Sequence, residues 1–120
     1  IGSMLAQEDS DGVVRPLEFF SRKLNSPELN YSTYDKELMA IIESLKNWRH
    51  YLIHTPETIL IFSDHNNLQF FRSSQLLKPR HARWAEFLSQ FCYKIYHIKV
   101  PIYWSLLSVP GVAAITAMEN

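Results

Sequence analysis

The sequence has little of what small proteins use as covalent or metal staples. Cys92 is its one cysteine, so an internal disulfide is impossible and a cysteine-rich structural zinc site is excluded. Cys92 is therefore expected to pack as a small buried apolar residue. Net charge is also lacking: 12 basic and 12 acidic residues balance over 120 positions. No overall basic field draws the chain to nucleic acid, and any such contact must come from a local patch. Only 3 glycines occur, and there is no low-complexity tract, which argues against a disordered linker. No P-loop, dinucleotide-binding glycine pattern or nucleophilic-serine elbow is present. No secretory signal is visible either, because Glu8, Asp9 and Asp11 interrupt any early apolar stretch. With Ile1 in first position, the chain reads as a fragment or cleaved piece that begins inside an element. From Val100 to Met118 charge is missing altogether. That length approaches a membrane span, but Pro101, Pro110 and Gly111 interrupt it and Ser105, Ser108 and Thr116 dilute it. A buried or poorly ordered tail is expected instead, and no membrane partner.

What is present is apolar bulk. Hydrophobic residues make up 47% of the chain and aromatics 13%, enough for the core of one domain. Residues 1–7 and 13–24 read as two strands around the Ser10-Asp11-Gly12 turn signal, hence a hairpin. Residues 25–30, with Pro27, read as a loop. A helix follows from Ser32 to about Tyr51. Ser32 and Asp35 form its capping start, and Leu38, Ile41, Ile42 and Leu45 form its buried stripe. Residues 58–63 form a compact run in which Ile59, Leu60, Ile61 and Phe62 are continuously apolar, as expected of a central strand covered on both faces. A short helix is expected near Asn66 or Asn67. Pro79 suits the first turn of another, in which Trp84, Phe87, Leu88 and Phe91 keep helical spacing. Residues 92–99 alternate as a strand with partly exposed faces. The order predicts an α/β (mixed α+β) domain, a mixed sheet with helices packed on it.

Two acids stand where a metal-dependent nuclease would place them. Glu37 lies early in the long helix and Asp64 directly follows the apolar strand. Phosphodiester hydrolysis needs an activated water and charge compensation on the leaving oxygen, which two divalent ions about 4 Å apart supply. Mg²⁺ takes hard oxygen ligands and keeps several waters, so a few carboxylates suffice. Taken alone, Glu37 is better read as a solvated charge favoured by the helix dipole, and Asp64 serves equally well as an N-cap. Asp35 reads as the capping partner of Ser32. The densest basic cluster is Lys78, Arg80, His81 and Arg83. Arg80 and Arg83, three apart, share a helix face and could grip a phosphate backbone or simply form a solvated face. Trp84 reads as a core anchor. His65 stands beside Asp64, within reach of a metal or phosphate. The other histidines, His50, His54, His81 and His97, show no ligand spacing and read as scattered surface or loop residues.

These residues fall in runs that resemble a known family. The runs are Phe19-Phe20-Ser21-Arg22-Lys23-Leu24, Asn30-Tyr31-Ser32-Thr33-Tyr34-Asp35-Lys36-Glu37-Leu38-Met39-Ala40-Ile41, Trp48-Arg49-His50-Tyr51-Leu52, Ser63-Asp64-His65-Asn66-Asn67-Leu68 and Ala82-Arg83-Trp84-Ala85-Glu86-Phe87-Leu88. In this order they are similar to the RNase H-like domain that follows the polymerase in gypsy-type LTR retrotransposon polyproteins. The resemblance covers residues 1–99 and leaves 100–120 as a divergent apolar tail. It implies a mixed sheet flanked by helices and Mg²⁺-dependent endonuclease cutting of RNA paired to DNA. The partners it implies are the RNA–DNA hybrid and the polymerase portion of the same polyprotein, inside the cell, in cytoplasm or nucleus.

By the same resemblance Glu37 and Asp64 match metal ligands, while Lys78, Arg80, Arg83 and His65 are candidate nucleic-acid contacts. The sequence departs from the family in two places. The family's first aspartate stands in an Asp-Ala-Ser run before the position of Ile1, and its last in an Ala-Asp-Ala-Leu-Ser-Arg run where this chain reads Val100-Pro101-Ile102-Tyr103-Trp104. The family's first strand, central in its sheet, is missing with the former. The expectation is a sheet that lacks its central strand, since the tail's Pro and Gly make it a poor substitute. The isolated chain is expected to be inactive or nearly so. A catalytically dead interaction module, or a remnant of a decayed element whose reading frame changes near Val100, is the alternative.

Overall fold

The computed structural model describes residues 1–8, 14–55, 57–63, 78–97 and 113–118. The first two strands, β1 (Gly2–Glu8) and β2 (Val14–Ser21), pair antiparallel as the hairpin reading requires. The turn at 10–12 lies outside the described residues. Met4 pairs with Phe19 and Leu5 with Glu18, but Ala6 pairs with Pro16. Leu17 is thus the extra residue of a bulge. A bulge on an edge strand is also where a proline, which lacks the ladder's N–H donor, is tolerated.

The segment expected as a loop contains a single helical turn, α1 (Ser26–Leu29). Asn25 caps it: its Oδ1 accepts from Glu28 N at 3.0 Å, while Asn25 N donates to Glu28 Oε1 at 2.9 Å. Pro27 sits in the first turn, where a missing N–H costs nothing. Arg22 then grips Glu28 with both terminal guanidinium nitrogens, Nη1 and Nη2, at 2.8 and 3.0 Å. The reciprocal cap and this ion pair make a helical turn where proline alone read as a break.

Helix α2 (Thr33–Asn47) begins as predicted, with Ser32 Oγ accepting from Asp35 N at 3.1 Å. It stops at Trp48, earlier than expected, and the chain re-enters a short helix, α3 (Arg49–Leu52). Leu38, Ile41, Ile42 and Leu45 are fully buried, which bears out the stripe read from their spacing. They pack with Leu5, Ile59 and Ile61 from the sheet and with Trp84 and Leu88 from α4 (Pro79–Leu88). Trp48 is also fully buried, edge-on to Phe20 at 6.2 Å. Ser44 Oγ shares a hydrogen bond with Ser3 Oγ and reaches Ala40 O at 2.6 Å, so the polar atoms where α2 crosses β1 are satisfied.

β3 (Ile59–Ser63) is buried along its whole length, as continuous apolarity implied. It runs parallel to β4 (Tyr93–His97). The helix expected near Asn66 lies outside the described residues. Cys92 corrects an expectation: it is exposed, with Sγ 3.6 Å from Thr58 Oγ1. Its backbone carbonyl accepts from Ile59 N at 2.8 Å, and its neighbours Phe91 and Tyr93 are the residues that turn inward. Strand alternation therefore points the thiol out.

The tail supplies the larger correction. Residues Ala113–Met118 form β5, antiparallel to β1 and parallel to β3, so the sheet has the order β2-β1-β5-β3-β4. The centre of the sheet is filled by the segment that was expected to be a poor central strand. The reason is where the strand breakers stand. Pro101, Pro110 and Gly111 all precede Ala113, and β5 itself contains neither residue type and no charge. Six uncharged residues suit a position hydrogen-bonded on both edges. Among the described residues no helix is long and apolar enough to cross a membrane.

Candidate functional site

Glu37 occupies the second turn of α2, on the side that faces the interior, and is 3% exposed. A carboxylate so deep is not the solvated first-turn charge that local sequence favoured, because burying an ionised group requires compensation. Asp64 directly follows Ser63, the last residue of β3 and itself buried; Asp64 and His65 lie outside the described residues. Among the described residues no group of three or more His, Cys, Asp or Glu is placed to hold a metal ion. Glu37 is thus the one member of the expected ligand set that the structure locates. An oxygen-only donor on a buried helix face fits a hard cation such as Mg²⁺ in kind, and Glu37 with Asp64 would be the residues to hold it.

The basic cluster is resolved in detail, and an acid that was read only as a capping partner lies at its centre. Asp35 is 1% exposed. Its backbone N–H makes the predicted cap with Ser32, but its carboxylate turns away to α4. Oδ2 accepts from Lys78 Nζ at 2.9 Å and from Arg80 Nε and Nη2 at 3.0 and 2.8 Å. Oδ1 lies 2.7 Å from His81 Nε2. Burial by itself would push the Asp35 carboxyl up. The hydrogen bonds from Lys78, His81 and Arg80 outweigh it and bring the pKa down to about 2, so the group is ionised at neutral pH.

Aromatic rings enclose the cluster. The Arg80 guanidinium lies 3.9 Å from the centre of the Tyr31 ring. Tyr31 meets Trp84 edge-on at 6.4 Å, and His81 lies 5.8 Å from Trp84. His81 is therefore not a scattered surface histidine but a buried one. The signal that could have found it is spacing, since 81, 84 and 88 fall on one stripe of α4 and all three are buried. His50 and His54 are exposed, as expected. Trp84 is buried as the core anchor its spacing predicted.

The structure does not keep Arg80 and Arg83 on one footing. Arg80 is drawn onto Asp35, with a side chain 24% exposed. Arg83 is exposed and forms no hydrogen bond or ion pair with the described residues. Lys78 lies between these extremes, with one contact to Asp35 and a side chain 43% exposed.

A mixed sheet with a long helix packed on it is the architecture expected of an RNase H-like domain. Residues 1–91 match the family described as the RNase H-like domain found in reverse transcriptase, and the chain belongs to that family. Among curated proteins it is similar to the Transposon Tf2-3, Tf2-4 and Tf2-5 polyproteins of Schizosaccharomyces pombe (strain 972 / ATCC 24843). Each is 42% identical over 97 residues, which is 79% of this chain. The chain spans 7% of the length of those polyproteins.

Proposed function

We propose that this chain is a piece of a gypsy-type retrotransposon polyprotein, from an RNase H-like domain whose ancestral activity is Mg²⁺-dependent endonuclease cleavage of RNA in RNA–DNA hybrids. Residues 1–99 are the domain proper, and β5 from the divergent tail completes its sheet. The observation that supports the reading is the burial of Glu37, proposed here as a metal ligand, in a chain whose residues 1–91 match the family. Glu37 and Asp64 would hold the metal, which supplies water activation and charge compensation when bound. Of the basic residues expected to face the hybrid, Arg83, Lys78 and His65 are proposed to do so, while Arg80 is held on Asp35. The polymerase portion of the polyprotein is the proposed covalent partner, and the proposed setting is intracellular.

The isolated chain is proposed to be inactive or nearly so, because two carboxylates hold a hydrated Mg²⁺ only weakly. The test is cleavage of a labelled RNA–DNA hybrid with Mg²⁺ by the parent chain, Glu37→Gln and Asp64→Asn. Background-level cleavage by all three is the expected result. Clear turnover by the parent, abolished in both variants, would overturn the inactivity and keep the site. Turnover equal in all three would overturn the site itself.

A further inference from the structure

We infer that Asp35 is a positioning residue that divides the basic cluster in two: it holds Arg80, with Lys78 and His81, in a structural clamp and leaves Arg83 as the α4 cation that meets a phosphate backbone. The inference deepens the proposed hybrid-binding reading and rests on it. Its ground is the geometry around one carboxylate. Arg80 places two nitrogens on the same oxygen, and the face of its guanidinium is covered by Tyr31 at 3.9 Å. A planar fork fixed on one edge and stacked on one face has little freedom to turn toward an incoming phosphate. Releasing it would strip partners from a carboxylate that is 1% exposed, and leaving a buried charge without its partners is strongly unfavourable. A phosphate oxygen offers Arg80 nothing that the already desolvated carboxylate does not. Arg83, three residues along the same helix and exposed, carries no such commitment to any of the described residues. Lys78 keeps donors and exposure for a secondary contact.

The same contacts tie α4 to the first turn of α2, which carries Glu37 two residues further on. Asp35 thereby fixes the cation of α4 relative to the acid of α2. It touches neither metal nor nucleic acid and acts through other residues.

The experiment uses the full chain, an RNA–DNA hybrid oligonucleotide in EDTA, and fluorescence anisotropy over a salt series, with melting followed by circular dichroism. Arg83→Ala is expected to lower the slope of log K against log salt by about one and to leave Tm unchanged. Asp35→Asn and Arg80→Met, the latter keeping the aliphatic stem over Tyr31, are expected to lower Tm by roughly 10 °C with the slope retained. The double variant should melt no lower than the worse single one, because both remove the same contacts. Arg80→Lys should not restore Tm, since an ammonium cannot reproduce the two-nitrogen fork. Equal slope losses for Arg80→Met and Arg83→Ala, or additive effects of Asp35→Asn and Arg80→Met on Tm, would overturn the inference while hybrid binding stands. Absence of hybrid binding by the folded parent would overturn the reading on which it rests.

Discussion

Asp35 and Glu37 are two residues apart on one helix and end in different surroundings. An α-helix advances about 100° per residue, so positions i and i+2 are rotated by about 200° and point about 160° apart. Asp35 is thereby delivered to α4 and Glu37 to the interior, although both are nearly inaccessible. Local sequence assigned both to the helix start, one as a cap and one as a solvated charge. It was right about the backbone of Asp35 and silent about its carboxylate, whose partners stand 43 to 46 positions away. The ion pair between Arg22 and Glu28 is a simpler case. Arg22 hydrogen bonds hold the Glu28 carboxyl below its ordinary value of 4.5, against the opposing effect of burial. A folded-state pKa below the unfolded one means stability that is fully present above pH 4.5 and lost as pH falls through the lowered value. Glu28→Gln should therefore be less stable than the parent at pH 7, and the gap should close on acidification. Urea midpoints measured between pH 7 and pH 2 check this, and a gap constant with pH would show that the pair contributes nothing through ionisation.

At the scale of the element, periodicity was the reliable guide. The stripe of α2, the continuous burial of β3 and the anchor role of Trp84 follow from apolar spacing, because those residues have one low-energy place to go. Short elements were harder to read. The turn of α1 exists because Asn25 and Glu28 cap each other and Arg22 closes the ring, which Pro27 obscured. The cap of α2 was visible in advance, and its worth can be measured. Ser32→Ala removes the acceptor for Asp35 N–H at the helix start and is expected to cost about 1 kcal/mol. Chemical denaturation of the two chains tests this. Because Asp35 also anchors α4, fraying of the first turn should extend to α4 and raise amide exchange at 80–82 as well as at 33–36. Exchange confined to α2 would argue that the clamp does not couple the two helices.

The whole molecule depends on a strand that local reasoning set aside. β1 and β3 do not pair with each other, and every hydrogen bond that joins the β1–β2 half of the sheet to the β3–β4 half passes through β5. Proline at Ile115, opposite Leu5 on one side and Ile61 on the other, removes an N–H from the middle of that ladder. Ile115→Pro should abolish the single cooperative unfolding transition and raise amide exchange in β1 and β3 together. An unchanged denaturation midpoint would show that this pairing is not part of the folded sheet.

By itself the sequence determined the domain class, the long helix with its stripe and cap, the buried strand that leads to Asp64, and the family, because helical and strand periods and ordered motifs are properties of neighbouring residues. Only the tertiary structure decided that Asp35 would hold Lys78, Arg80 and His81, that Glu37 would be buried, and that the last strand would lie between the first and the third. Each of these brings together residues far apart in the chain. Such pairings are selected by burial and hydrogen-bond satisfaction over the whole fold, and no local pattern specifies them.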